Sequence, residues 1–164
     1  MHKFSKVTKY RKDIFLGEFQ RHHLLPVQCH NIALINNRLL ALTPLGFSLS
    51  EFESNGIYLP STENGAMRYG LPLHRGPHPR YNQLVMERLL RIFKRTNIYY
   101  SAIDSLYWEL FRVRILQKAL RLALLRGSMQ SVILNKRDPM RSRHDLTLLD
   151  ERIDSLWSAT KDRG

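Results

Sequence analysis

The pattern of apolar residues changes character near residue 80, and this limits what the chain can fold into more than any other feature of it. Up to residue 79, short apolar runs are cut by turn formers: Leu24-Leu25-Pro26, Thr43-Pro44-Leu45-Gly46, Asn55-Gly56, Asn64-Gly65 and Leu71-Pro72. Such punctuation favours short strands and loops over long helices. Asn55-Gly56 followed by Ile57-Tyr58-Leu59 reads as a turn entering a strand. Beyond it the period becomes helical. Val85, Leu89, Ile92 and Phe93 share one face of a helix over 82–94. Ser101-Ala102-Ile103-Asp104 has the form of a capping box opening a second helix. Its face would run through Ile103, Leu106, Tyr107, Leu110, Val113, Gln117, Leu120 and Leu124, with Gly127 as the stop. A last short helix is expected from about Thr147 to Trp157. The fold class that follows is α+β: a compact module with little sheet, then a helical C-terminal extension.

At 164 residues, this is one domain or a small domain with an extension. Cys29 is the single cysteine, which excludes an intramolecular disulfide and any zinc knuckle built on cysteines. No apolar run approaches the roughly twenty residues of a membrane span, and no secretory signal is visible. The expected location is therefore the cytoplasm, or a target cell reached without a signal peptide. The 26 Lys and Arg against 14 Asp and Glu leave a net charge of +12 and favour a polyanionic partner. That charge is uneven: +4 over 1–79, +10 over 80–143 and −2 over 144–164. Arg112, Arg114, Lys118 and Arg121 fall on the polar side of the second helix. They are either a solvated face or a set of phosphate contacts. Tyr99, Tyr100, Tyr107, Trp108 and Phe111 fit a helical core or a partner face better than a stacking platform for bases.

Six of the seven histidines lie in 1–78, and four stand out by spacing: the adjacent His22 and His23, and His74 and His78 four apart. Imidazole is a common metal ligand and is mostly neutral at pH 7. Pro77 and Pro79 argue that His74 and His78 lie on a loop at the entry of the next helix, not within one. In a strand, His22 and His23 would point to opposite faces, so one ring can meet a metal while the other stays free as a base. Cys29 reads as a small buried residue, His30 as a surface one, and Tyr81 as a core residue whose hydroxyl can buttress the site.

Three blocks now stand in order: Arg21-His22-His23-Leu24-Leu25-Pro26, then Ser54-Asn55-Gly56-Ile57-Tyr58-Leu59-Pro60, then Leu71-Pro72-Leu73-His74-Arg75-Gly76-Pro77-His78-Pro79-Arg80-Tyr81-Asn82. Together they resemble the AHH family, nucleases of the HNH (ββα-metal, treble-clef-like) superfamily often found as bacterial polymorphic toxin modules. The resemblance implies a basic N-terminal segment over 1–17, an HNH-like nuclease core over 18–95, and a helical extension over 96–164 packed on that core. It implies that His22, His74 and His78 hold one divalent ion, that His23 is the general base, and that Asn55 holds the loop orienting it. The alanine of the family name is Arg21 here, a side chain able to reach a phosphate. Arg75 and Arg80 flank the histidines and are further candidates for phosphate contacts.

Three neutral imidazoles leave an ion's double charge uncompensated, which suits an anionic phosphodiester. Such ligands favour Zn or Ni over Mg, with Mn between, and leave the working ion open. The expected partner is nucleic acid, DNA before RNA, with an acidic immunity protein if the module is a toxin. The alternative is a non-catalytic nucleic-acid-binding module with a structural zinc, which would close its coordination with four protein ligands.

Overall fold

The computed structural model describes residues 17–94, 101–125 and 134–135. Strand β1, Phe19–His23, pairs antiparallel with β2, Gly56–Pro60, in a register running from Phe19 opposite Pro60 to His23 opposite Gly56. The fold is α+β, with this small sheet and otherwise helices.

The connection between the strands is long. A 3-10 turn, Val27–Asn31, starts where Pro26 fixes an extended φ of −64°. Helix α1, Ala33–Ala41, and a second 3-10 turn, Thr43–Leu45, follow, and Gly46 ends that turn at a φ of 81°. A single helical turn, α2 (Phe52–Asn55), then runs directly into β2. Asn55-Gly56 is therefore the junction of a helical turn and a strand, not a reverse turn, and Gly56 has an ordinary extended backbone.

Helix α3, Glu63–Tyr69, contains Asn64-Gly65, which sequence alone reads as a turn. The difference lies in Thr62, whose hydroxyl accepts the Gly65 N–H at 3.1 Å and caps the helix. Helix α4, Pro79–Lys94, begins with proline at its first position, where no N–H is needed. Helix α5, Ala102–Leu125, is opened by Ser101, whose Oγ accepts the Asp104 N–H at 3.2 Å. Gly127 and the expected helix over Thr147–Trp157 lie outside the described residues, as do Tyr99 and Tyr100.

One hydrophobic cluster joins these elements. Leu24, Leu25 and Cys29 follow β1 into it, Ile35 and Leu39 come from α1, and Tyr81, Val85, Leu89 and Ile92 come from α4. Val113, Leu116, Leu120 and Leu124 bring α5 into the same cluster. At about 1.5–3 kcal/mol for each fully buried aliphatic side chain, these four residues contribute substantially to holding α5 against the rest of the fold. Its buried face differs from the expected one in the first half. Ile103 and Tyr107 are 52% and 56% exposed, and Trp108 and Phe111 also face outward. Glu109 is buried instead, held by the guanidinium of Arg38, whose Nε lies 3.0 Å from its carboxylate. A hydrophobic period cannot anticipate a carboxylate drawn inward by an arginine 71 residues away.

Candidate functional site

Alternation along β1 turns His22 inward, where it is 1% exposed, and leaves His23 partly exposed at the strand's end. His74 lies on the loop before α4, tied to the sheet by its N–H to the Pro60 carbonyl at 2.8 Å. His78 immediately precedes α4, and its carbonyl accepts the Asn82 N–H at 3.1 Å. The three rings converge. His22 lies 4.8 Å from both His74 and His78 by centroid, and one nitrogen of each residue lies within 4.8 Å of the others. His74 and His78 face each other Nε2 to Nε2 at 3.2 Å.

Neither ring nitrogen of His22, nor Nδ1 of His74, has a hydrogen-bond partner, although all three atoms are shielded from solvent. Burial, reinforced by the neighbouring imidazoles, pushes His22 down to about 2. Burial and then His78 bring His74 down to about 4. Both are therefore neutral at pH 7, with lone pairs available to a cation. This is a donor set that fits a divalent transition ion.

Two residues from the third sequence block set the triad's orientation: Asn82, which was not singled out from sequence, and Tyr81, which was expected in the core with its hydroxyl buttressing the site. The Asn82 side-chain oxygen accepts from His78 Nδ1 at 2.9 Å, which places the remaining lone pair on Nε2, the nitrogen facing His74. The Asn82 amide in turn donates to Gln28 Oε1 at 2.5 Å. The signal was the spacing of His78 and Asn82 across the first turn of a helix, where residues four apart are neighbours. Tyr81 is fully buried, donates its hydroxyl to the Leu24 carbonyl at 2.8 Å, and sets its ring against His22. Burial raises its phenol far above the ordinary value.

His23 sits at the edge of the Phe52 ring, 6.3 Å away by centroid, and Arg21 stacks its guanidinium on that same ring at 4.1 Å. Burial, then the positive charge of Arg21, hold His23 below the usual histidine range, so it too is neutral at pH 7. Gly56 makes this arrangement possible, because a Cβ there would lie 2.0 Å from the Phe52 ring.

Asn55 is completely buried and does not point into the histidine cluster. Its Oδ1 accepts the Leu25 N–H at 2.8 Å, and its amide donates to the carbonyls of Leu25 and Leu49 at 3.0 and 2.7 Å. Its own carbonyl accepts the Leu24 N–H at 2.8 Å. It thus holds the two residues that follow His23. A partner unseen in the sequence, Gln117 of α5, donates to Asn55 Oδ1 at 3.1 Å.

The arginines separate into two groups. Arg21, Arg75 and Arg80 are exposed and lie within five residues of a ligand histidine in the chain. Arg114 instead donates to the Gly46 carbonyl at 3.0 Å, and Arg121 to the carbonyls of Glu53 and Ser54 at 2.8 and 3.1 Å. Partial burial lowers Arg121 from the usual arginine range. These two half-buried guanidiniums cap the ends of turns, at Gly46 and at the end of α2. Lys118 is exposed and Arg112 half-buried on the same helix. No helix among the described residues is long and apolar enough to cross a membrane.

A family profile described as AHH, a nuclease family of the HNH/ENDO VII superfamily with conserved AHH, matches residues 16–110. That is 95 of the 164 residues, and it takes in all four histidines, the sheet and the start of α5. No curated protein and no solved structure matches the chain.

Proposed function

The chain belongs to the AHH family of nucleases, within the HNH/ENDO VII superfamily, and from that we propose that it is a metal-dependent endonuclease hydrolysing the phosphodiester bonds of DNA. The observation that carries the metal is His22. A buried imidazole with both nitrogens unsatisfied is costly, and convergence with His74 and His78 gives it a reason. His22, His74 and His78 would hold one divalent ion, which when bound polarises a phosphate oxygen and steadies the leaving oxyanion. Among the described residues no fourth histidine, cysteine or carboxylate joins them, which supports a catalytic site over a closed structural one.

His23 lies outside the ligand set, is neutral at pH 7 and is partly exposed. It takes the proton from the attacking water as general base. Asn55 keeps the base in place through Leu24 and Leu25. Arg21, Arg75 and Arg80 would contact phosphates beside the site, and Lys118 and Arg112 would extend that contact along α5. The net charge of +12 suits DNA and, for a bacterial toxin module, an acidic immunity protein as neutralising partner. Zn and Ni are the ions the imidazole set prefers, with Mn and Mg as alternatives for turnover.

The test is nicking of supercoiled plasmid by purified protein with Zn, Ni, Mn or Mg added. Activity should vanish in His23→Ala while bound metal stays at the wild-type level. A folded His23→Ala protein that cleaves as fast as wild type would remove the base from the mechanism.

A further inference from the structure

Three side chains of α5, spaced at i, i+3 and i+7 on one face, reach across to the connection between β1 and β2. Arg114 holds the carbonyl of Gly46, Gln117 holds Asn55, and Arg121 holds the carbonyls of Glu53 and Ser54 at the end of α2. Arg114 also donates to Gln117 Oε1 at 3.3 Å, which orients the amide so that its NH2 points to Asn55. Gln117 and Asn55 are 3% and 0% exposed, so water does not compete for the bond between them. Gln117 and Arg121 lie past residue 110, where the family match ends.

The hydrogen bonds of the Asn55 side chain close completely. Its oxygen has two lone pairs, taken by Leu25 N–H and Gln117 Nε2, and its amide has two N–H groups, taken by the carbonyls of Leu25 and Leu49. Removing Gln117 opens one of the four, leaves a buried lone pair of the oxygen unsatisfied and weakens the hold on the amide. The segment that Asn55 fixes, Leu24-Leu25, leaves β1 directly after His23. His22 is held separately, by its packing against Tyr81, His74 and His78. A loosened Asn55 therefore acts on His23 directly, and on the triad only at one remove, through the Leu24 carbonyl that the Tyr81 hydroxyl holds.

We propose that Gln117 is a positioning residue for the hydrolytic reaction: through Asn55 it fixes the Leu24-Leu25 segment that aims His23, which makes α5 a working part of the site. The inference rests on the reading of His23 as general base. The experiment uses the full chain with Gln117→Leu, Asn55→Ala and the double variant, each compared at equal fraction folded. In plasmid nicking, kcat of Gln117→Leu should fall about tenfold, the order expected for a misaimed catalytic group. KM and the Zn affinity from calorimetry should stay within about twofold of wild type, since the triad and phosphate contacts are untouched. In the Asn55→Ala background, Gln117→Leu should have no further effect on kcat. An unchanged kcat, or a fall matched in Zn affinity, would overturn the proposal. If Asn55→Ala does not fold, the split between kcat and KM in Gln117→Leu decides alone. If wild-type protein cleaves nothing, the function reading has failed, and the brace is read by amide hydrogen exchange instead. Leu24 and Leu25 should then exchange about tenfold faster in Gln117→Leu while Leu59 of β2 is unchanged. Equal exchange at Leu24 and Leu25 in both proteins would sink it.

Discussion

Acid should weaken the metal-free protein through His22, and the size of the effect follows from its burial. In the unfolded chain this imidazole titrates near 6.5, whereas in the fold it is pushed down to about 2. Below pH 6.5 the unfolded state therefore binds a proton that the folded state refuses, so stability falls as pH falls from 6.5 toward 2. Well above 6.5 neither state is protonated and nothing is lost. Integrated from pH 7 to pH 5, the proton uptake of the unfolded histidine amounts to about 1.4 pH units, and at 1.36 kcal/mol per unit this gives a loss of about 2 kcal/mol. His74, down to about 4 in the fold, pulls in the same direction over the same window. The assay is urea unfolding of chelator-treated protein at pH 7 and pH 5, beside His22→Phe. Wild type should lose about 2 kcal/mol or more on acidification, and the variant markedly less. Saturating Zn should oppose the loss in wild type, because ion and proton compete for the same lone pairs. Equal stability of metal-free wild type at the two pH values would refute the reasoning. So would an undiminished acid response in His22→Phe.

Three further outcomes follow from particular contacts. Asn82→Leu removes the acceptor that orients His78, and calorimetry should show Zn affinity falling about 10–100-fold, with Asn82→Asp restoring most of it. Gly56→Ala places a Cβ where the Phe52 ring lies, and should cost about 1–3 kcal/mol in a denaturant melt; in a Phe52→Ala background most of that penalty should disappear. Arg114→Gln and Arg121→Gln should lower the melting temperature and barely change the salt dependence of DNA binding, whereas Lys118→Gln should flatten that dependence and leave the melt alone.

Much of the site was legible in the order of residues, because its signals are local. Adjacent histidines in a strand must face opposite ways, so the separation of buried His22 from accessible His23 follows from strand geometry. Two prolines around His78 keep it at a helix entrance, which is where it stands before Pro79. The helical period located α4 and α5, and a capping motif located the start of α5. Short-range signals failed where a cap outweighed a turn dipeptide, as Thr62 does over Asn64-Gly65.

What only the tertiary structure decided are the partners of polar groups far apart in the chain. Spacing can put Arg114 and Arg121 on a polar helix face, but it cannot say whether they meet phosphate or protein. Here their guanidiniums meet carbonyls 68 residues away. Gln117 falls on the apolar face of its helix, and becomes intelligible only as the donor that completes Asn55, 62 residues distant. Hydrophobic periodicity records which way a side chain faces, because burial is common to every apolar residue on that face. A hydrogen bond needs one donor and one acceptor brought together in a specific geometry, and only the folded chain supplies that.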